Sequence, residues 1–295
     1  DAARWSEVAA RHWGGAGDLD AQGRALIDAI GGRAMVGDGA EAVALSAELA
    51  ELARRTNSAD LLAQAALARA AVFEAFQDVD GPPLLREALD HPGSVQDPGR
   101  RADLLAGLAA LLGMPSMDGT RRDEAAARAA VAELELLAES GDRRVRARLA
   151  EARLNVLSGP AHHHDRRGWL AEYLTLLPAG RDVARRLVQI YWATSLAFEA
   201  GELPAVDRLL REWEALADRC DSAYWRWRAQ MARASLLYAR GRLDSAEELA
   251  TSGGGLVASL HPEMATRVVA GLILSVRIDQ GRMREVGGLG RVNLG

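Results

Sequence analysis

The chain has 295 residues, is 49% hydrophobic and 26% charged, and carries a net charge of -5. That is enough apolar material for a sizeable core, yet no uninterrupted apolar run approaches the ~18 to 20 residues of a membrane span. The negative charge is the wrong sign for a chain whose affinity comes from neutralising phosphates, so direct nucleic-acid contact is not expected.

The single cysteine, Cys220, cannot form an internal disulfide, and no charged-then-apolar segment opens the sequence. Both features lead to the expectation of a cytoplasmic protein. All 36 Lys or Arg residues are Arg. The sequence starts at Asp1 and stops at "GRVNLG" just after a repeat signature, so it reads as a piece of a longer multidomain protein.

Ala, Leu, Glu and Arg dominate, and these have the best helix propensities. Apolar residues recur at three and four, as in Leu209, Trp213 and Leu216, which predicts an almost wholly α-helical chain. In chain order, breakers stand at "GDGAEA" (37–42), "DVDGPP" (78–83), "MDGTRRDEA" (117–125), "SGPAHHH" (158–164), and at Gly201, Gly241 and Gly281. A second set falls between them, at "ARRTNSAD" (53–60), "HPGSVQDPG" (91–99), "AESGD" (138–142), "LPAGRD" (177–182) and "DRCDSA" (218–223).

The repeating unit is then helix A, a tight turn at Gly, helix B, and a looser turn to the next unit. A fixed period built from two helices marks an α-solenoid, in which each pair buries its apolar face against its neighbours. The expected fold is all-α, one domain over 1–295: a right-handed solenoid of about seven helical hairpins with a period near forty residues.

Stacking the last three units at a spacing of forty aligns Phe198, Tyr238 and Ile278; Leu196, Leu236 and Val276; and Ser195, Ser235 and Ser275. Large apolar groups fill the first two columns, and the small third lets the partner helix approach. Gly, three residues after the first column, can take the positive φ that ends helix A. Leu203, Leu243 and Met283 then begin helix B, with Ala246 on its packing side.

The signature G-[RED]-[LM]-x-x-A after an A-helix, seen in full in "LLYARGRLDSAEELA" and in part in "LAFEAGELPAVDRLL" and "IDQGRMREV", resembles the tetratricopeptide (TPR) pattern stretched from 34 to about 40 residues. That period, the Ala/Arg/Leu texture and the opening "WSEVAARHWGGAGDLDAQGRALIDA" are similar to the helical sensor region of large ATP-binding transcription regulators of the LuxR type and of actinobacterial antibiotic-regulatory activators. The resemblance covers nearly the whole chain. It implies a non-catalytic sensor or interaction module of a bacterial transcription regulator; a stand-alone TPR scaffold for protein-protein interaction is the alternative. In such regulators an ATPase precedes the solenoid and a DNA-binding domain may follow. Neither is expected within 1–295, because the chain holds no Lys and hence no G-x-x-x-x-G-K-[ST] phosphate loop.

Metal and catalytic readings are weak. His162, His163, His164 and Asp165 are competent ligands but adjacent on one stretch, with His12, His91 and His261 scattered, so a solvated loop is the expectation. His261-Pro262-Glu263 reads as a helix start. No Asp-Asp-x-x-Asp run exists, Cys220 has no nearby His, and "RRDEAAARAAVAELELLAE" (121–139) reads as a charge-lined helix beginning at Arg121, Arg122, Asp123 and Glu124. No enzyme activity, cofactor or metal is expected.

Aromatics are uneven. Trp169, Tyr173, Tyr191, Trp192, Phe198, Trp213, Tyr224, Trp225, Trp227 and Tyr238 crowd one region, with Trp5, Trp13, Phe73 and Phe76 outside it. Tight core packing explains such a stripe. A pocket on the concave A-helix surface is the functional reading, with Tyr191, Ser195, Phe198, Trp227, Arg228, Met231, Ser235 and Tyr238 on one side. Flat rings, hydroxyls and one Arg suit a small amphipathic ligand or a peptide segment; a homo-oligomer is also conceivable.

Overall fold

The structure is a computed structural model that describes residues 2–36, 38–71, 81–113, 123–157, 160–180, 182–257, 262–282 and 284–285. Among these there is no strand, and the helices run in order α1 (Ala2–Ala16), α2 (Leu19–Val36), α3 (Gly39–Thr56), α4 (Ala59–Ala71), α5 (Gly81–Asp90), α6 (Pro92–Val95), α7 (Pro98–Gly113), α8 (Glu124–Ala138), α9 (Arg143–Val156), α10 (His163–Leu176), α11 (Val183–Glu199), α12 (Leu203–Arg219), α13 (Ala223–Ala239), α14 (Leu243–Val257) and α15 (Pro262–Asp279). The chain is an all-α helical repeat. Successive helices pack on their neighbours, within two compact units: Asp1–Ala34 with Asp38–Pro178, and a second built on Ala179–Gly295.

The breakers fall between helices wherever residues are described. Helix A of each repeat is α2, α4, α7, α9, α11, α13 and α15, starting at Leu19, Ala59, Pro98, Arg143, Val183, Ala223 and Pro262, so the period of about forty runs through both units. One sequence signal behind it went unread. An Asp or Ser stands just before all but the last of these helices and accepts from its first turn: Asp18 from Ala21 N, Ser58 from Leu61 N, Asp97 from Arg100 N, Asp142 from Val145 N, Asp182 from Arg185 N and Ser222 from Trp225 N. Each cap satisfies a backbone donor that the helix itself leaves open. The last, α15, opens instead on Pro262, as expected, while His261 lies outside the described residues.

The Gly turns adopt the conformation the sequence calls for. Gly201, Gly241 and Gly281 have φ of 68°, 72° and 72°. Each closes the same pair of bonds: Gly241 N donates to Tyr238 O at 2.9 Å and Arg242 N to Leu237 O at 2.9 Å, with equivalents at Gly201–Glu202 and Gly281–Arg282. Contrary to expectation, the turns from helix B to the next A are no looser at three places, one of them Gly17 at φ of 76°. Asn57 and Asp221, at φ of 50° and 51°, make the same pattern, because short polar side chains tolerate the left-handed region.

That contrast yields a prediction. A Cβ at residue 241 meets nothing within 4 Å, so the cost of substitution is backbone strain alone. Gly241→Val should destabilise by about 1–2 kcal/mol or more, whereas Gly241→Asn should cost well under half of that. Thermal melts that rank the two variants equally would contradict it.

The columns sort differently from the reading above. Leu196, Leu236 and Val276 are buried, and Ala246 is fully buried. Phe198 and Tyr238 are half-buried and Ile278 is exposed. Residues two apart on a helix lie about 200° apart around it, so both columns cannot face the same core. The core of the first unit is instead built from Leu, Ala and Val of α1 to α9, with Leu49, Leu52, Leu85, Leu104 and Leu134 shielded from solvent.

Ion pairs repeat with the same period. Arg146–Glu172 and Arg186–Glu212, both at 2.6 Å, join α9 to α10 and α11 to α12 and stand forty residues apart. Asp207 and Glu247, again forty apart, are each gripped by arginines beyond them: Asp207 by Arg233 and Arg240, Glu247 by Arg277 at 2.7 Å and Arg282 at 2.6 Å. Burial pushes the Glu247 pKa up, but the two guanidinium groups outweigh it and hold the carboxyl below its ordinary 4.5. The folded state therefore binds this proton less readily than the unfolded one. The stabilisation is present above about pH 4.5 and is lost as pH falls through the folded value. Glu247→Gln should flatten the fall in melting temperature between about pH 5 and 3; a slope identical to that of the parent would contradict this.

Candidate functional site

The second unit gathers its aromatic side chains between α11, α12 and α13. The tilted and edge-on ring pairs run Trp192–Tyr191–Trp213–Trp225–Tyr224–Trp227, with centroids 5.2 to 6.1 Å apart. In the first unit α7 packs closely on α4 and α9; the backbones of α11 and α13 approach one another less, and large rings fill the interval. Trp169 and Tyr173 lie on α10, in the first unit.

Within the group lies a cavity of about 150 Å³, lined by Tyr191, Thr194, Ser195 and Phe198 of α11, Trp213 of α12, Trp227, Arg228, Met231, Ala232 and Ser235 of α13, and Val268 of α15. Seven of the eight residues picked from the sequence meet here. Tyr238 does not: its hydroxyl donates to Asp279 Oδ2 at 2.7 Å, tying α13 to α15. Sequence reasoning missed Thr194, because the neighbouring Ser column drew attention to Ser195, and Trp213, which its three-to-four spacing with Leu209 and Leu216 had assigned to the core. It missed Val268 because a valine says nothing alone.

The core and pocket readings of the aromatics both hold in part. Trp213 and Trp227 are 2% and 0% exposed, so their rings are core, yet both also line the cavity. The two serines differ from expectation. Ser195 Oγ donates to Tyr191 O at 2.9 Å and Ser235 Oγ to Met231 O at 3.0 Å, one helical turn back, so each hydroxyl has spent its proton and offers only lone pairs.

Arg228 is the one formal charge on the wall. Its guanidinium carbon sits 4.6 Å from the Tyr191 ring centroid, a cation–π arrangement. Burial opposes its charge, but an arginine's own basicity is high enough to withstand it, and the guanidinium lies over the electron-rich face of Tyr191. It stays ionised. At the neighbouring ring, burial pushes the Tyr224 phenol up, which keeps it neutral. At a spacing of forty, Arg228 occupies the column of Arg148, Val188 and Val268. The repeat architecture does not require a charge there.

Other candidates resolve more simply. His163 and His164 are not in a solvated loop: a short 3-10 turn, Pro160–His162, leads straight into α10, and the two rings stand edge-on in its first turn at 5.6 Å. Among the described residues no group of three or more His, Cys, Asp or Glu is placed to hold a metal ion. Cys220 caps α12, its thiol donating to Ala217 O at 3.4 Å. Asp123 caps α8 by accepting from Ala126 N, while Arg121 and Arg122 lie outside the described residues, as do Phe73, Phe76 and Met283. In the first unit a wider depression of about 490 Å³ is lined by α3, α4 and α5, and Arg54 bridges Glu51 and Glu87 across it.

No helix among the described residues is long and apolar enough to cross a membrane. No family model matches the sequence, and no curated protein matches it at a significant level.

Proposed function

We propose that the chain is a non-catalytic sensor module of a bacterial transcription regulator of the LuxR-like, TPR-containing kind, which binds a small amphipathic molecule or a peptide segment in the cavity between α11 and α13. The observation that carries this reading is the meeting of Tyr191, Ser195, Phe198, Trp227, Arg228, Met231 and Ser235 in one cavity, where Arg228 is the one formal charge. A helical repeat whose units contact only their neighbours suits the role, because widening one interval between A-helices makes a pocket without disturbing distant repeats.

The regulator reading is tested in the source organism by comparing transcript profiles of the parent strain, a strain lacking the segment that encodes 1–295, and one carrying Arg228→Ala. It predicts a discrete set of transcripts that changes on deletion and changes in the same direction with Arg228→Ala, because the cation of the sensor cavity is lost. Unchanged transcripts in the deletion strain would overturn it.

A further inference from the structure

Helix α1 presents an apolar surface to solvent. Its inner side follows a three-to-four spacing: Ala3 meets Gly32 of α2, Glu7 pairs with Arg33 of α2 at 2.7 Å, Ala10 is in the core, and Gly14 lies against Gln22. The residues on the far side of the helix point away from the repeat. They include Trp5, Val8 and Trp13, which are 73%, 41% and 39% exposed, and the exposed His12 and Ala16; the His12 and Trp13 rings stand edge-on at 5.1 Å. None of these is an acid or an arginine. Arg4 and Arg11, both exposed and two turns apart, run along one border of the face.

The repeat indicates what such a face seats. At a spacing of forty, α1 stands in register with α3: Gly17 and Asn57 both follow their helix at positive φ, and Asp18 and Ser58 both cap the next one. The counterparts of Ala2, Trp5, Ala9, His12 and Trp13 are Ala42, Leu45, Leu49, Leu52 and Ala53, and all five are buried. Part of that cover is the helix A that precedes α3, since a Cβ on Gly23 of α2 would stand 3.6 Å from Leu52 Cδ2. A helix face that stays in water is ordinarily polar, and this one is not.

We propose that the outer face of α1 docks an amphipathic α-helix of a partner protein, in the place that α2 takes beside α3, with acidic residues along the edge that meets Arg4 and Arg11. Charge selects this occupant. A second copy meeting α1 through the same face would bring arginines to arginines, because the one acid within α1, Glu7, is held on the inner side by Arg33. An anionic membrane surface suits Trp beside Arg, but it would repel a chain of net charge -5.

The probe is a synthetic helical peptide of about four turns with Leu at three-and-four spacing and Glu along one edge; its counterpart carries Lys in place of Glu. Titration calorimetry on the whole chain should show the Glu peptide binding about tenfold more tightly than the Lys peptide. Trp5→Ala, at an exposed position, should weaken the Glu peptide by about tenfold or more. Arg4→Glu combined with Arg11→Glu should reverse the order of the two peptides. Circular dichroism melts close to that of the parent show that these variants are folded. Equal binding of the two peptides, binding of neither, or a Trp5→Ala variant that binds as the parent does would overturn the proposal. So would a dimer in sedimentation that Trp5→Ala dissolves, or vesicles of phosphatidylcholine and phosphatidylglycerol that bind the chain where the Glu peptide does not.

Discussion

Replacing Asp103 with Ala should destabilise the first unit by about 2–3 kcal/mol. Asp103 lies on α7 with its side chain 7% exposed, and it takes bonds from two arginines of α9, Arg144 and Arg148, the latter at 2.7 Å. Arg148 also reaches Glu151 at 2.6 Å. Removing one partner of a buried pair costs about 3–5 kcal/mol when the remaining charge has no alternative. Here Arg144 is 59% exposed and can turn to solvent, and Arg148 keeps Glu151, so the loss is smaller than that limit. Arg144→Ala, which removes only the exposed partner, should cost about 1 kcal/mol or less. Denaturant titrations of the two variants check the ordering. Equal losses would mean that Asp103 is not the hub that joins α7 to α9.

The second large effect is at Trp227. It is among the largest side chains with no exposure at all, so Trp227→Ala removes a whole ring from packed surroundings and should cost about 3–5 kcal/mol. Trp227→Phe should be close to neutral, because the smaller ring loses some packing while the unmet N–H disappears with it. Thermal unfolding of both variants tests this. If Trp227→Phe costs nearly as much as Trp227→Ala, the indole N–H is bonded.

Much of the architecture was legible because it is written in local chemistry. Gly201, Gly241 and Gly281 announce left-handed caps that few other residues accept, and the recurrence of these turns forty residues apart gives the hairpin and its period. The Asp and Ser caps at 142, 182 and 222 carried the same period and could have been read with equal ease. The tight turns at Asn57 and Asp221 were harder, since nothing but the fold requires a non-glycine residue to sit at positive φ there.

The site was legible in its columns, because three-to-four spacing on α11 and α13 puts Tyr191, Ser195 and Phe198, or Trp227, Met231 and Ser235, on one side of each helix. What the cavity contributes chemically was not legible. Whether Ser195 or Thr194 has its hydroxyl proton to spare depends on a bond to its own helix backbone, and whether an indole N–H is met depends on what three helices bring near it. Tyr238 shows the converse: its spacing fits the column, but Asp279 from α15 claims its hydroxyl.

The central claim is that the α11–α13 cavity takes a small amphipathic molecule, which benzoate represents. The most direct measurement follows the indole N–H resonances of the ¹⁵N-labelled chain during a benzoate titration, with Trp213→Phe and Trp227→Phe assigning their two peaks among the seven tryptophans. The prediction is that the Trp213 and Trp227 peaks alone shift strongly and saturably, as a ligand enters the cavity that both residues line. Peaks of Trp5 or Trp13 moving instead, or the two assigned peaks remaining still at saturating benzoate, would contradict it.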